Sequence, residues 1–224
     1  MKVTYLGHAG FKVESDNKTI YVDPWLGGPA SPMSVDDVAD ADIVLVTHDH
    51  QDHGYAEARK ICEKTGAYFI AINELAIDAK ERGLEKVHTL NIGGSINIDN
   101  VRVTLVQAFH SCGEGAPTGF IVKMPSFTFY HAGDTGVFSS MELFRELYSP
   151  DLAMLPIGSY YTMDVEQASL ATELLKPQLV VPMHYGTFPP IEANPEEFKE
   201  LVGDRVPETE VKVMKPGDTL EITF

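Results

Sequence analysis

Thr47-His48-Asp49-His50-Gln51-Asp52-His53 is the stretch on which the reading of this chain turns. It follows the apolar run Ile-Val-Leu-Val at 43–46, which has the length and composition of a buried strand. Three histidines and Asp52 then fall within six positions, in the pattern H-x-H-x-D-H. A lone histidine is more often a surface or hydrogen-bonded core residue. Four such groups crowded where a strand leaves the core carry a desolvation cost that a bound cation relieves. Imidazole suits zinc, iron, nickel or manganese, and a carboxylate broadens that range. On a loop, residues two apart can turn to the same side. His48 and His50 are thus expected to grip one ion, and Asp52 and His53 to turn toward a second.

Each ion needs further donors, and other strand ends offer them. His110 closes the apolar run 101–109. Asp134 follows the run 127–130, in His131-Ala132-Gly133-Asp134-Thr135. His184 closes the run 179–181, in Pro182-Met183-His184-Tyr185-Gly186. Each lies where a strand meets a glycine-containing loop, so one sheet edge can gather them all.

Outward from the motif, alternating or short apolar runs predict strands at 3–6, 11–14, 19–22, 67–70, 87–90, 95–98, 101–107, 120–124, 127–130, 152–155, 179–181, 211–213 and 219–223. Helices are predicted at 55–64, 73–82, 141–147, 165–175 and 195–201. Asn73 and Asp164 are expected to cap the second and fourth, Gly83 to stop the second, and Pro195 to sit in the first turn of the fifth. The first half reads as mostly antiparallel strands and the second as alternating elements. No linker or composition break interrupts the chain, so one domain over 1–224, with two sheets covered by helices, is expected.

The chain has 224 residues, 33 acidic and 17 basic, for a net charge of −16. A nucleic-acid binder normally carries a basic stripe, because phosphate contacts drive its affinity. None exists here, and nucleic acid is not expected as a partner. Two cysteines, Cys62 and Cys112, rule out a disulfide scaffold. No segment reaches the ~18 apolar residues of a membrane span. The N-terminal residues run straight into a strand without a signal-peptide pattern. A cytoplasmic, soluble protein acting on a small molecule is expected, with a homo-oligomer compatible with its strand edges.

The ordered set H-x-H-x-D-H, then His, then Gly-Asp, then His resembles the metallo-β-lactamase superfamily, with His48, His50, Asp52, His53, His110, Asp134 and His184 in the matching positions. Gly7-His8-Ala9-Gly10-Phe11, Asp23-Pro24, Tyr130 to Thr135, Pro156-Ile157-Gly158 and Pro182 to Tyr185 narrow the likeness to a branch of metal-dependent hydrolases similar to the ascorbate 6-phosphate lactonases. The resemblance implies an α/β (α+β) four-layer αββα sandwich with two divalent ions, zinc first and manganese, iron or nickel as alternatives. One ion takes His48, His50 and His110, the other Asp52, His53 and His184, and Asp134 bridges them. It implies a hydrolase in which hydroxide activated by two metals cleaves a small-molecule ester, lactone or phosphoester bond. A phosphodiesterase or nuclease of the same fold, or a metal-binding protein without turnover, stands as the alternative. A di-iron oxidoreductase fits less well, because its relatives usually carry Glu in place of the second motif His, which is His50 here.

Asp52 is expected to move a proton as well as bind metal. His8, in a glycine-flanked turn, is expected in the pocket against substrate, and His131 in the pocket or just behind it. Asp23 can orient a ligand histidine through its second nitrogen. Cys112 is expected to be a small buried residue rather than a reactive thiol, and His88 structural. Tyr160, Tyr161 and Tyr185 are candidates for the pocket lining, and Gly113 to Gly119 for one of its walls.

Overall fold

Alternation at the N-terminus lays down β1 (Lys2–Gly7), β2 (Gly10–Ser15) and β3 (Lys18–Val22) as an antiparallel meander in a computed structural model that describes residues 1–223. The next strands are apolar at nearly every position, the pattern of a sheet covered on both faces. They are β4 (Ile43–Leu45), β5 (Tyr68–Ile72) and β6 (Val87–Leu90), which run parallel to β3. Parallel strands need crossovers. Helices α1 (Tyr55–Thr65) and α2 (Asn73–Glu81) supply those from β4 to β5 and from β5 to β6, and bury Ala58, Ile61 and Leu75.

The second half repeats the plan. β7 (Ser95–Ile98), β8 (Val101–Gln107), β9 (Thr118–Lys123) and β10 (Thr128–His131) are antiparallel. After α3 (Met141–Tyr148) come β11 (Leu152–Pro156), α4 (Val165–Leu175), β12 (Leu179–Met183), α5 (Pro195–Arg205) and β13 (Glu210–Val211), with the strands parallel to β10. β14 (Thr219–Glu221) returns to pair with β1. Two seven-stranded mixed sheets result, β14-β1-β2-β3-β4-β5-β6 and β13-β12-β11-β10-β9-β8-β7. They pack around one apolar core with helices on their outer faces.

The expected split into an antiparallel first half and an alternating second half is corrected, since each half holds both kinds of pairing. Asn73 is likewise not a cap: it is the first helical residue, preceded by Ile72 at φ −54° and ψ 148°. Asp164 does cap α4, accepting from the Gln167 amide at 2.8 Å. α5 runs past its expected end at 201 because Val202 is still buried.

The topology fixes where chemistry can gather. β1, β3 and β4 point the same way in one sheet, as do β8, β10, β11 and β12 in the other. Their carboxyl ends meet at one edge, the usual place for a site in sheets with parallel strands. Hydrogen bonds stitch the sheets there. Thr118 donates to the Thr47 carbonyl from both its amide and its hydroxyl, at 3.1 and 2.9 Å. The His184 amide donates to the His8 carbonyl at 2.7 Å. Gly133 has φ 59°, and a Cβ there would lie 2.5 Å from the Thr118 carbonyl oxygen, so only glycine lets the Asp134 loop come this close.

Candidate metal centre

The residues after β4 form a short loop and one 3₁₀ turn, Gln51–His53. Asp23, at the end of β3, organises that loop from within the core. Its carboxylate is fully buried and accepts from the Thr47 amide at 2.8 Å, the Thr47 hydroxyl at 2.7 Å and His53 Nδ1 at 2.7 Å. With the Thr47 hydroxyl proton given to Asp23, its oxygen is left to accept from His48 Nδ1 at 3.0 Å. Both imidazoles are thereby fixed with Nδ1 donating into the core and Nε2 turned toward the centre, the orientation of ligand histidines.

The free nitrogens converge. His48 Nε2 lies 3.0 Å from His50 Nδ1, which lies 3.3 Å from His110 Nε2. Beside them, Asp134 Oδ2 is 3.4 Å from His110 Nε2 and 3.1 Å from His184 Nε2, while its Oδ1 is 3.3 Å from His53 Nε2. Asp52 Oδ2 completes the second group, 3.9 Å from His184 Nε2. Two donor sets emerge, His48, His50, His110 and Asp134, and His8, Asp52, His53 and His184. The two carboxylate oxygens of Asp134 face both.

These residues fit divalent cations on their own evidence. His53 Nε2, Asp134 Oδ1 and both ring nitrogens of His184 are buried without a hydrogen-bond partner. Unpaired buried polar atoms are costly, and four in one place call for a group that satisfies them. Lone-pair nitrogens aimed at one another ask for a cation between them. The nitrogen and oxygen donors are those of zinc and its neighbours rather than of calcium or magnesium.

Electrostatics agree. Burial, reinforced by the neighbouring His53, lowers His48 to about 2, so the ring is neutral and ready to ligate. Burial would lower His53 too, but Asp134 and Asp23 outweigh it and raise that imidazole well above its ordinary value. Burial works against ionisation of Asp134, yet the facing His53 and His184 hold its carboxyl well below the usual range. Burial works against ionisation of Asp52 as well, but the hydrogen bond from His8 together with the charges of His53 and His8 holds its carboxyl low.

The opening above these groups is a cleft of about 380 Å³, lined by His50, Gln51, Asp52, His110, Ser111 and Tyr161 among others. Among the described residues, no Lys or Arg lines it. Tyr161, a residue the sequence offered for the lining, does line it and stands 56% exposed. Asp49, the unassigned position inside the motif, accepts from the Gly113 amide at 2.9 Å and so ties the motif loop to the loop carrying His110.

Most of the remaining candidates sit around this centre. His8 does not face substrate: it is 1% exposed and its Nε2 lies 3.0 Å from Asp52 Oδ2. His131 takes the second of its two expected places, buried behind the centre, its Nε2 donating to the Ala9 carbonyl at 2.8 Å and its Nδ1 accepting from the Gly133 amide at 3.2 Å, which leaves it no atom for substrate. Tyr160 and Tyr185 are not among the residues lining the cleft. Cys112 is half-buried, not buried, and burial together with the charge of Asp49 raises its thiol, so it is no activated nucleophile. His88 stacks on Tyr68, away from the centre.

Known proteins resemble this chain. The family described as "Beta-lactamase superfamily domain" matches residues 2–184. A UPF0173 metal-dependent hydrolase of Caldivirga maquilingensis is 47% identical over 220 residues, 97% of this chain and 96% of its own. Igni18, a metallo hydrolase of the hyperthermophilic archaeon Ignicoccus hospitalis, superposes with a TM-score of 0.93 at 44% identity, over 100% of this chain and 98% of its own. The metallo-β-lactamase fold protein YhfI of Bacillus subtilis superposes with a TM-score of 0.74 over 98% of each chain at 14% identity, a likeness of fold alone.

Proposed function

The chain belongs to the metallo-β-lactamase superfamily, among metal-dependent hydrolases, and on that premise we propose that it hydrolyses a small uncharged ester or lactone at a centre of two divalent cations. His48, His50, His110 and Asp134 would hold one cation, and Asp52, His53, His184 and Asp134 the other, zinc being the first candidate. The observation that carries this reading is the pair of donor sets meeting at Asp134, with buried ring nitrogens and a carboxylate oxygen that no protein group satisfies. When bound, such cations supply Lewis-acid charge that acidifies water and stabilises the oxyanion developing on a carbonyl.

The protein's own groups do the rest. Asp23 and Thr47 hold the rings of His48 and His53 in one tautomer and one orientation. Asp52 is the carboxylate of the centre with appreciable exposure, 24% for its side chain against 3% for Asp134. It is therefore the group placed to accept a proton from the attacking water and return it to the leaving oxygen. Tyr161 gives an apolar arm of the substrate a surface to lie on. Without Lys or Arg in the lining, a second phosphate or a nucleic-acid strand meets no counter-charge, which favours ester and lactone over phosphoester.

The test is a screen of the zinc-loaded chain against aryl esters, γ- and δ-lactones, phosphate monoesters and bis-phosphodiesters. Turnover of esters or lactones, lost with a chelator and restored by zinc, is the expected result. Turnover confined to phosphodiesters, or hydrolysis that a chelator leaves untouched, would overturn the reading.

A further inference from the structure

His8 occupies a turn that favours glycine. The two-residue connection between β1 and β2 holds it at φ 56°, in the left-handed region where a side chain is disfavoured. The surroundings nevertheless lock it there. The Tyr5 hydroxyl and the His184 amide both donate to its carbonyl, at 2.8 and 2.7 Å. Its ring is boxed by Trp25, Phe188 and His184, with centroids at 5.5, 5.6 and 4.1 Å. A conformation over-determined in this way, next to a metal centre, points to a task for the side chain.

The ring's two nitrogens show the task. Nε2 lies 3.0 Å from Asp52 Oδ2, and Nδ1 lies 3.0 Å from Thr187 Oγ1. A carboxylate only accepts, so Nε2 carries the proton and donates it to Asp52. On the neutral ring Nδ1 is then the acceptor, and the Thr187 hydroxyl donates to it. Neither nitrogen keeps a lone pair for a cation. The chain Thr187–His8–Asp52 draws on three segments remote in sequence, the β1–β2 turn, the metal motif and the loop after β12.

We infer that His8 is a positioning residue: it clamps the Asp52 carboxylate beside His53 and His184 and so sets the affinity of that donor set for its cation, without touching the His48–His50–His110 set. The inference rests on the two-cation reading above. It assigns His8 a role distinct from ligand and from substrate contact, and it explains why a histidine is held where glycine would turn the chain without strain.

The experiment titrates the full chain with Zn²⁺ against a chromophoric chelator, for wild type, His8→Phe, His8→Gln and Thr187→Val, with circular dichroism and a melting curve for each. Wild type is expected to bind two equivalents. His8→Phe keeps ring volume and removes the donor, so one equivalent should weaken by about 10–100-fold while the other is unchanged. His8→Gln offers an amide N–H to the carboxylate but is a poor zinc ligand, so it should recover part of the loss. Thr187→Val should weaken the same equivalent by a smaller factor. Unchanged affinity for both equivalents in His8→Phe overturns the inference. A loss in His8→Gln as deep as in His8→Phe overturns it too, by making His8 a ligand. Should His8→Phe fail to fold, Thr187→Val decides, and unaltered affinity there overturns the inference. Fewer than two equivalents in wild type overturns the two-cation reading itself, and the inference falls with it.

Discussion

At the scale of single residues, the centre depends on side chains that touch no substrate. Asp23 is buried, accepts three hydrogen bonds and adopts φ 45°, a left-handed conformation held for the sake of His53 and Thr47. Asp23→Asn keeps the shape but turns one acceptor into a donor facing His53 Nδ1. Metal affinity should fall by about 10–100-fold with the fold retained, a change that chelator competition and circular dichroism would read. His53 gives a pH prediction. Its imidazole is raised well above its ordinary value by Asp134 and Asp23 against the effect of burial, so without metal it holds a proton at neutral pH. A cation must displace that proton. Metal affinity therefore rises with pH, by about tenfold per unit for each proton released, and calorimetry in buffers of different ionisation enthalpy should detect the release. An affinity flat between pH 6 and 8 would contradict this, on the ~6.5 reference value for histidine. The metal motif, and the matching His110, Asp134 and His184, were legible as residues because their types are rare and their spacing is tight. The His8–Asp52 contact was not. It spans 44 positions and depends on the path of a turn, which a pattern of residue types does not encode.

At the scale of elements, hydrophobic periodicity carried most of the information. β6, β7, β8 and α4 lie where alternation and apolar spacing put them, since their ends are marked by turn residues or a capping aspartate. The misreadings have local causes. Asn73 looks like a cap because it precedes an apolar helix, but β5 runs directly into α2 and the asparagine becomes the first helical residue. The fifth helix, expected to end at 201, continues to Arg205 because Val202 packs inward. The direction of pairing was least legible, because a short apolar run reads alike in parallel and antiparallel sheets. Two substitutions test the packing that positions the centre. Phe120→Ala opens a void at a fully buried site between β8 and β10 and should cost about 3–5 kcal/mol in denaturant unfolding. Gly133→Ala should be nearly as harmful despite adding one methyl group, because the Thr118 carbonyl occupies the space and φ is 59°. Its effect should reach metal binding, since the Asp134 loop would have to shift. Stability and metal affinity unchanged in Gly133→Ala would contradict the role given to that close approach.

At the scale of the whole molecule, two copies of one plan, each a meander followed by parallel strands, face each other so that their carboxyl ends share one edge. The first half contributes His8, Asp23 and the motif, and the second His110, Asp134 and His184, so neither half holds a complete donor set. The net charge of −16 sets the wider field. It disfavours polyanions, and in the proposed reading it leaves the cations as the main positive charge in a cleft whose described lining has no Lys or Arg. Cations that bind the folded state stabilise it by mass action, so stripping them should lower the melting temperature, and zinc should restore it. The central claim is that the two donor sets hold two cations through a shared Asp134. It is tested most directly by elemental mass spectrometry on tag-free protein, wild type beside His184→Ala. The account predicts close to two equivalents of metal per chain in wild type and one or fewer in His184→Ala. Little metal in wild type, still absent after reloading with zinc, manganese or iron, would contradict it.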